Sequence, residues 1–286
     1  MTPIGIAGSG RVAQALGRLL ARRGEPVAAV ASRTSAHAAA AAAFIGCAAV
    51  PMEELPNRAA RILIAVRDDS VEHVAGQLAA AGMRAGAALH TCGAHGPEIL
   101  APLAAAGVSS AVFHPLQTIA TPEQGVGALP GSAFAISGDP DAVEWAVAIC
   151  GLLGGTPLRV APGRMPLYHA AAVLASNYVT ALLDAAVILM VSAGIDRNTA
   201  LGALGPLVRA SIENSLALGP EKALTGPIER GDLETVRRHL GGLGAVPRSV
   251  GELYRFAGLH AVGLARRRGL PEAKAREIEA LLREGR

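Results

Sequence analysis

The sequence predicts an α/β fold: an N-terminal parallel-sheet domain of the Rossmann type, followed by an all-α C-terminal domain. Three observations predict it. A glycine-rich turn follows the first strand-like run. Short apolar runs then alternate with amphipathic stretches to about residue 160. Beyond residue 162 the strand signal stops and only helical patterns remain. Two domains are expected, 1–160 and 161–286, a division that suits a chain of 286 residues.

In order, the strand-like runs are Ile4–Ala7, Val27–Ala31, Cys47–Val50, Ile62–Val66, Ala87–His90, Ser110–Phe113, Ala133–Ile136 and Pro157–Val160. Helical segments at Arg11–Arg23, Ser70–Ala81, Pro97–Ala106 and Asp141–Leu153 lie between several of them, and Gly24, Gly82 and Gly107 fall where those helices should end. The Pro/Gly-rich segment from His114 to Gly131 breaks the alternation and reads as a long functional loop or a sheet extension. Met165–Ala193 reads as one long helix, apolar almost all round, which needs cover from other helices or from a second subunit. Within it, the apolar stretch from Tyr178 to Ile195 contains Asp184 and is expected to be a buried helix rather than a membrane span. Helices at roughly 197–217, 232–241, 246–268 and 271–284 follow, punctuated by Gly194, Gly219-Pro220, Gly226-Pro227 and Gly269.

Composition narrows the function classes. Hydrophobic residues make up 51% of the chain and aromatics only 3%, so the core must be built from Ala, Val, Leu and Ile. The net charge is +3 and the basic residues are scattered without interleaved aromatics, which argues against a nucleic-acid partner. The three cysteines, Cys47, Cys92 and Cys150, show no metal-binding or CxxC spacing; no metal is expected, and reduced thiols suggest a cytoplasmic protein. The first residues already read as a strand, so no signal peptide is expected.

The first chemical motif is Gly8-Ser9-Gly10-Arg11-Val12-Ala13, a GxGxxA turn between strand and helix. Gly8 serves the tight turn. Gly10 lets the backbone approach a pyrophosphate seated on free N–H groups at the helix N-terminus, and Ala13 lets helix and strand pack closely. The second strand ends at Ser32-Arg33-Thr34, where an NAD site would usually carry Asp or Glu. A guanidinium with hydroxyls suits a 2′-phosphate, so NADP(H) is the expected cofactor; the alternative is an exposed arginine in a plain loop.

Ligands of open α/β sheets bind outside the carboxyl ends of the strands. Three such ends carry polar groups: Val66-Arg67-Asp68-Asp69-Ser70, His90-Thr91-Cys92-Gly93 and His114-Pro115-Leu116-Gln117. Val66, Arg67, Asp68, Thr91 and Gly93 are therefore candidates to flank the cofactor. Asp69 or Ser70 can instead cap the next helix, and His90 can be a hydrogen-bonded strand residue. His114 is the candidate proton donor for carbonyl or imine reduction, with a structural turn role as its alternative.

These motifs, together with Tyr168-His169-Ala170-Ala171-Ala172, Ala175-Ser176-Asn177-Tyr178 and Ala223-Leu224-Thr225-Gly226-Pro227 with Arg230-Gly231-Asp232, resemble the Rossmann-like and DUF2520 domain proteins over nearly the whole chain. That family is similar in layout to pyrroline-5-carboxylate reductases, F420-dependent NADP reductases, and 6-phosphogluconate and 3-hydroxyisobutyrate dehydrogenases, and some relatives reduce ketopantoate. The resemblance implies an NADP-dependent oxidoreductase. Asn177 matches the catalytic asparagine of the hydroxyacid dehydrogenases, but their lysine falls on Val173, a departure that argues against a lysine-assisted mechanism. His169, Val173 and Asn177 share one helix face, so His169 can supply a proton while Asn177 orients the substrate; alternatively both hold a structural contact. Asn214, Thr225 and Arg230 are candidate substrate contacts, and Asp232 is a candidate helix cap with Arg230 as its partner. The expected function is NADPH-dependent reduction of a small keto or imino acid, including a ketopantoate-like 2-keto acid, by a homodimer joined through the helical domain. The rivals are an NADP(H) sensor without chemistry and a deazaflavin F420:NADP oxidoreductase.

Overall fold

The computed structural model describes residues 2–284, and the chain divides into two compact units between Ser176 and Asn177. In the first unit eight strands form one sheet in the order β3-β2-β1-β4-β5-β6-β7-β8. These are β1 Ile4–Ala7, β2 Val27–Ala31, β3 Ala48–Ala49, β4 Arg61–Ile64, β5 Ala87–His90, β6 Ser109–Pro115, β7 Ala133–Gly138 and β8 Thr156–Arg159. The helices are α1 Arg11–Arg22, α2 Ser35–Ile45, α3 Leu55–Arg58, α4 Val71–Ala80, α5 Ala101–Ala104, α6 Pro122–Ala128, α7 Pro140–Leu152 and α8 Met165–Ala175.

β1 and β5 are buried along their whole length, as strands covered on both faces must be, which is why they read as unbroken apolar runs. One core on this sheet gathers Leu16, Leu20, Leu63, Phe113, Phe134 and Trp145, and another gathers Leu55, Ile62, Ile64, Leu78 and Leu100. Phe113 stacks on Phe134 with ring centroids 4.6 Å apart. The strand order reverses between β1 and β4, the switch point at which such sheets open a crevice.

The sheet is parallel, as expected, except that β7 runs antiparallel to β6. Other expectations are corrected. The run Cys47–Val50 shrinks to two paired residues at the sheet edge. Helix α2 was not anticipated: its alanine run shows no amphipathic period, and it forms on the high helix propensity of Ala, with Thr34 accepting the His37 N–H at its start and Gly46 (φ +90°) ending it. The segment from His114 to Gly131, expected as a loop or a sheet extension, begins as the end of β6 and also contains α6, capped by Thr121 and opened by Pro122. The expected helix Met165–Ala193 is interrupted at Ser176 (φ −129°, ψ −71°), so α8 ends there and the spacing from Val173 to Asn177 does not follow one continuous helix.

The second unit holds α9 Asn177–Ser192, α10 Arg197–Leu218, α11 Pro220–Ala223, α12 Pro227–Arg230, α13 Leu233–Gly242, α14 Arg248–Arg267 and α15 Glu272–Arg283. Val236, Val262, Ala275, Ile278 and Leu282 form its core. Asp196 caps α10 and Asp232 caps α13 through the Thr235 N–H. The stretch from Tyr178 to Ile195 is not the buried helix expected: α9 buries only Val187, and Tyr178, Leu182 and Val191 are exposed. Helix α10 buries only Ala200 while exposing Leu201, Leu207, Ile212, Leu216 and Leu218. Met165–Ser192 is long and apolar enough to cross a bilayer by composition, yet Ser176 breaks it and Asp184 pairs with Arg197 at 3.0 Å.

Candidate active site

The glycine turn shows two different reasons for glycine. Gly8 has φ +125°, and a Cβ there would lie 2.2 Å from the Ala65 carbonyl oxygen, so the fold itself excludes any side chain. Gly10 has an ordinary φ of −72°, and a Cβ built on it would meet nothing within 4 Å. Nothing in the protein needs a glycine at position 10; a ligand lying against the backbone would. Gly10 is also the N-cap of α1 and supplies no side-chain cap, which leaves the first N–H groups of α1 without a capping side chain.

A cavity of about 950 Å³ opens at this turn. Gly8, Ser9, Gly10, Arg11, Val12, Ser32, Arg33, Val66, Arg67, Asp68 and Thr91 line it, whereas Thr34 and Gly93 do not. The Ser9 and Ser32 hydroxyls are 2.8 Å apart and tie the turn to the end of β2. Gln14 Nε2 donates to the Ser9 carbonyl at 2.8 Å, and an Arg11 guanidinium N–H donates to the Ala120 carbonyl at 3.2 Å. Arg67 pairs with Asp69 at 2.7 Å. Hydrogen bonds from Ser70 and Arg67 hold the Asp69 carboxyl below the usual carboxylate range, helped by the charges of Arg67 and Arg33. Neither Asp69 nor Ser70 caps α4 with its side chain, against that alternative reading. Ser35 and His37, from the unanticipated first turn of α2, also line the cavity, as do Met52, His73 and Gln77. Recognising α2 would have pointed to the first two; Met52 and Gln77 carry no signal in the sequence.

A second constellation stands at the end of β6. Side chains alternate across a strand, so Phe113 enters one core while Val112 packs on the other face with Ala135, Met165 and Tyr168. His114 meets Tyr168 of α8, its Nδ1 lying 2.9 Å from the phenol oxygen. Its ring also stands edge-on to His169, with centroids 5.6 Å apart. Both imidazoles converge on Gly93: a Cβ there would lie 2.5 Å from His169 Nδ1 and 2.7 Å from His114 Nε2. Burial, and then the neighbouring His169, push His114 down to about 4, while the Asp68 carboxylate pulls the other way. Burial pushes the Tyr168 phenol up to about 12. His169 Nδ1 is buried with no hydrogen-bond partner. The structure therefore brings His114 and His169 together with Tyr168, which the residue-by-residue reading did not single out; only its place beside His169 hinted at it.

His90 takes the structural role. It is fully buried at the end of β5, its Nε2 sits 3.1 Å from the Gly96 carbonyl, and burial pushes it down to about 4. Cys92 is buried nearby with its thiol pushed up to about 11, so it is no ready thiolate.

Of the candidates in the second unit, Asn177 opens α9, Asn214 lies exposed on α10, Thr225 sits in the turn between α11 and α12, and Arg230 ends α12. Among the described residues no cluster of His, Cys, Asp and Glu suits a metal ion.

A Rossmann-like domain model matches residues 2–115, and the model of a domain of unknown function, DUF2520, matches residues 132–261. The chain joins a Rossmann-like domain to a DUF2520 domain. No curated protein matches the chain in sequence. A protein of Bacteroides fragilis, provisionally named an NADP oxidoreductase, matches in structure with a TM-score of 0.74 and 22% identity, covering 90% of this chain and 96% of its own. A Thermotoga maritima protein has a TM-score of 0.76 and 21% identity over 92% of this chain and 99% of its own. A reductive aminase from Aspergillus terreus, in complex with NADPH and ethyl levulinate, has a TM-score of 0.66 and 20% identity over 99% of this chain and 98% of its own. At these identities the likeness is one of fold, and the DUF2520 domain takes no activity from it directly.

Proposed function

We propose that the protein is an NADPH-dependent reductase of a small carbonyl or imine compound, such as a 2-keto or imino acid. The observation that carries this reading is the cavity that runs from the uncapped start of α1 at Gly10 to Arg33 at the end of β2 and to Thr91 after β5. The residues fit the cofactor: Gly10 leaves open the space that a Cβ would occupy, the α1 N–H groups suit a pyrophosphate, and Ser32 and Arg33 suit a 2′-phosphate. Val66, Arg67, Asp68 and Thr91 flank the path to the reacting end, and Gly93 follows Thr91 by two residues. Bound there, NADPH supplies a hydride to the substrate carbon.

The remaining chemistry belongs to side chains. A reduced carbonyl or imine needs a proton on oxygen or nitrogen, and His114 at the end of β6 is the candidate donor, with His169 beside it. Asn177, Asn214, Thr225 and Arg230 are proposed to contact the substrate. The reductive aminase among the structural relatives supports a carbonyl or imine substrate and makes the NADPH site the first thing to test. The uncovered leucines of α10 support a homodimer through the helical unit, and no membrane or nucleic-acid partner is proposed.

Thermal shift and fluorescence titrations with NADPH and NADH test the cofactor, and NADPH oxidation across a panel of 2-keto acids, cyclic imines and ketone–amine mixtures tests the reaction. The expected result is a strong preference for NADPH and turnover of at least one panel member. Tight NADPH binding without turnover of any would favour a sensor, and equal response to both nucleotides would sink the role of Arg33.

A further inference from the structure

We propose that Tyr168 is a positioning residue that makes His114 a hydrogen-bond donor through Nε2, and that the two side chains form a relay delivering a proton to the reduced substrate. The inference rests on the reductase reading for its purpose, but its geometry stands on its own. The Tyr168 hydroxyl and His114 Nδ1 are 2.9 Å apart. A phenol O–H half-buried on α8 needs an acceptor, and among the described residues no other hydrogen bond to it is present. If Tyr168 donates to Nδ1, both atoms are satisfied by one bond. If Nδ1 donates instead, the phenol proton is left without a protein acceptor, at a cost that burial raises. The donating arrangement places the single proton of the neutral imidazole on Nε2.

That nitrogen faces the Gly93 turn. A Cβ at position 93 would lie 2.7 Å from it, so glycine is what leaves the N–H uncovered, two residues beyond cavity-lining Thr91. The groups that reach His114 are His169, edge-on at 5.6 Å, His90, and the Asp68 carboxylate on the β4 turn. Burial and the two histidines together outweigh Asp68, so the ring stays neutral at ordinary pH and works as a neutral donor rather than an imidazolium. The proton count closes. The substrate carbon receives a hydride from NADPH. Its oxygen or nitrogen takes the Nε2 proton as Nδ1 takes the phenol proton; the tyrosinate then takes that proton back from Nδ1 while water reprotonates Nε2, which restores the Nε2–H ring. With the phenol at about 12 and the imidazole at about 4, the pair keeps this protonation across the neutral range.

Long-range ¹H–¹⁵N correlation spectra of full-length protein labelled at histidine read the tautomer directly. Wild type is expected to show His114 as the Nε2–H form at pH 7 with no titration between pH 5 and 8. Tyr168→Phe, which removes only the hydroxyl, is expected to shift His114 toward a mixture of tautomers. It should also lower kcat at least tenfold on any turned-over member of the keto and imino acid panel, with KM and NADPH affinity within about twofold of wild type. A predominantly Nδ1–H ring in wild type would overturn the proposal without recourse to any variant, as would an unchanged tautomer in a folded Tyr168→Phe protein. Failure of wild type to bind NADPH would instead overturn the reductase reading and the relay's purpose, a result separate from the tautomer measurement.

Discussion

Acidification should weaken the sheet domain well above the range in which carboxylates protonate. His90 and His114 each fall from an ordinary value of 6.5 to about 4, chiefly because burial penalises the charged ring. His90 adds a geometric reason, since its Nε2 is engaged with the Gly96 carbonyl and protonation at Nδ1 would create a buried N–H with no acceptor. The sign follows from proton binding: between pH 6.5 and 4 the unfolded chain holds more protons than the folded one, so stability falls as pH falls. A full shift of this size corresponds to about 3 kcal/mol per histidine, of which about 2 kcal/mol each is already lost on going from pH 7 to pH 5. Urea titrations at those two pH values measure it, read by fluorescence of Trp145, the single tryptophan, buried in the same domain. Wild type should lose about 4 kcal/mol between the two conditions, and His90→Gln should lose about half as much, starting from a lower value at pH 7. A wild-type stability that is flat between pH 7 and pH 5, or a His90→Gln slope equal to wild type, would refute the neutral-histidine account.

Three further outcomes are expected. Arg33→Ala should weaken NADPH binding about 10- to 100-fold, the worth of one charge-assisted contact, and leave NADH binding unchanged in a fluorescence titration. Gly10→Ala should cost no more than about 1 kcal/mol in a denaturation curve, because its Cβ meets nothing within 4 Å, yet weaken NADPH binding at least tenfold; Gly8→Ala should instead destabilise the fold outright, because its Cβ would collide with the Ala65 carbonyl. Leu207 and Leu216 are 62% and 83% exposed, so if the proposed homodimer forms through α10, Leu207→Glu with Leu216→Glu should convert it to a monomer in sedimentation or light-scattering measurements while leaving the far-ultraviolet spectrum unchanged.

The central strands were legible because burial on both faces leaves continuous apolar runs: Ala87–His90 matches β5 residue for residue, and Ile4–Ala7 matches β1. The glycine turn was legible because a positive φ and a close backbone approach exclude other residues at Gly8. Helix α2 was not, since Ser35–Ile45 is almost all alanine and carries no contrast between faces. The interruption at Ser176 was missed for a different reason: the apolar run continues across it and no Gly or Pro marks the break, although Ser176, Asn177, Tyr178 and Val179 are weak helix formers. The direction of β7 also escaped the reading, because periodicity reports which face is buried and says nothing of which way the chain runs. Within the candidate site, His114 and Gly93 could be placed at strand ends, but the meeting of His114 with Tyr168 joins residues 54 apart in sequence and depends on packing between β6 and α8.

The antiparallel ladder of β6 and β7 has a consequence for how this edge of the sheet can change over generations. β6 outruns β5, whose last pairing is His90 with Val112, so Phe113, His114 and Pro115 are held by β7 alone, opposite Ile136, Ala135 and Phe134. Neighbouring positions on that arm have opposite destinies: Phe113 goes to the oily interior, His114 to the phenol of α8. Insertions in the connection from Leu116 to Ser132 leave this parity intact, although α6, the buried Leu129 and the Arg11–Ala120 hydrogen bond limit where that connection can be recut. One residue added or lost within β6 exchanges the two, turning the imidazole inward and the phenyl ring outward. The arm thus works like a key with two faces, in which loop length is negotiable and strand length is not.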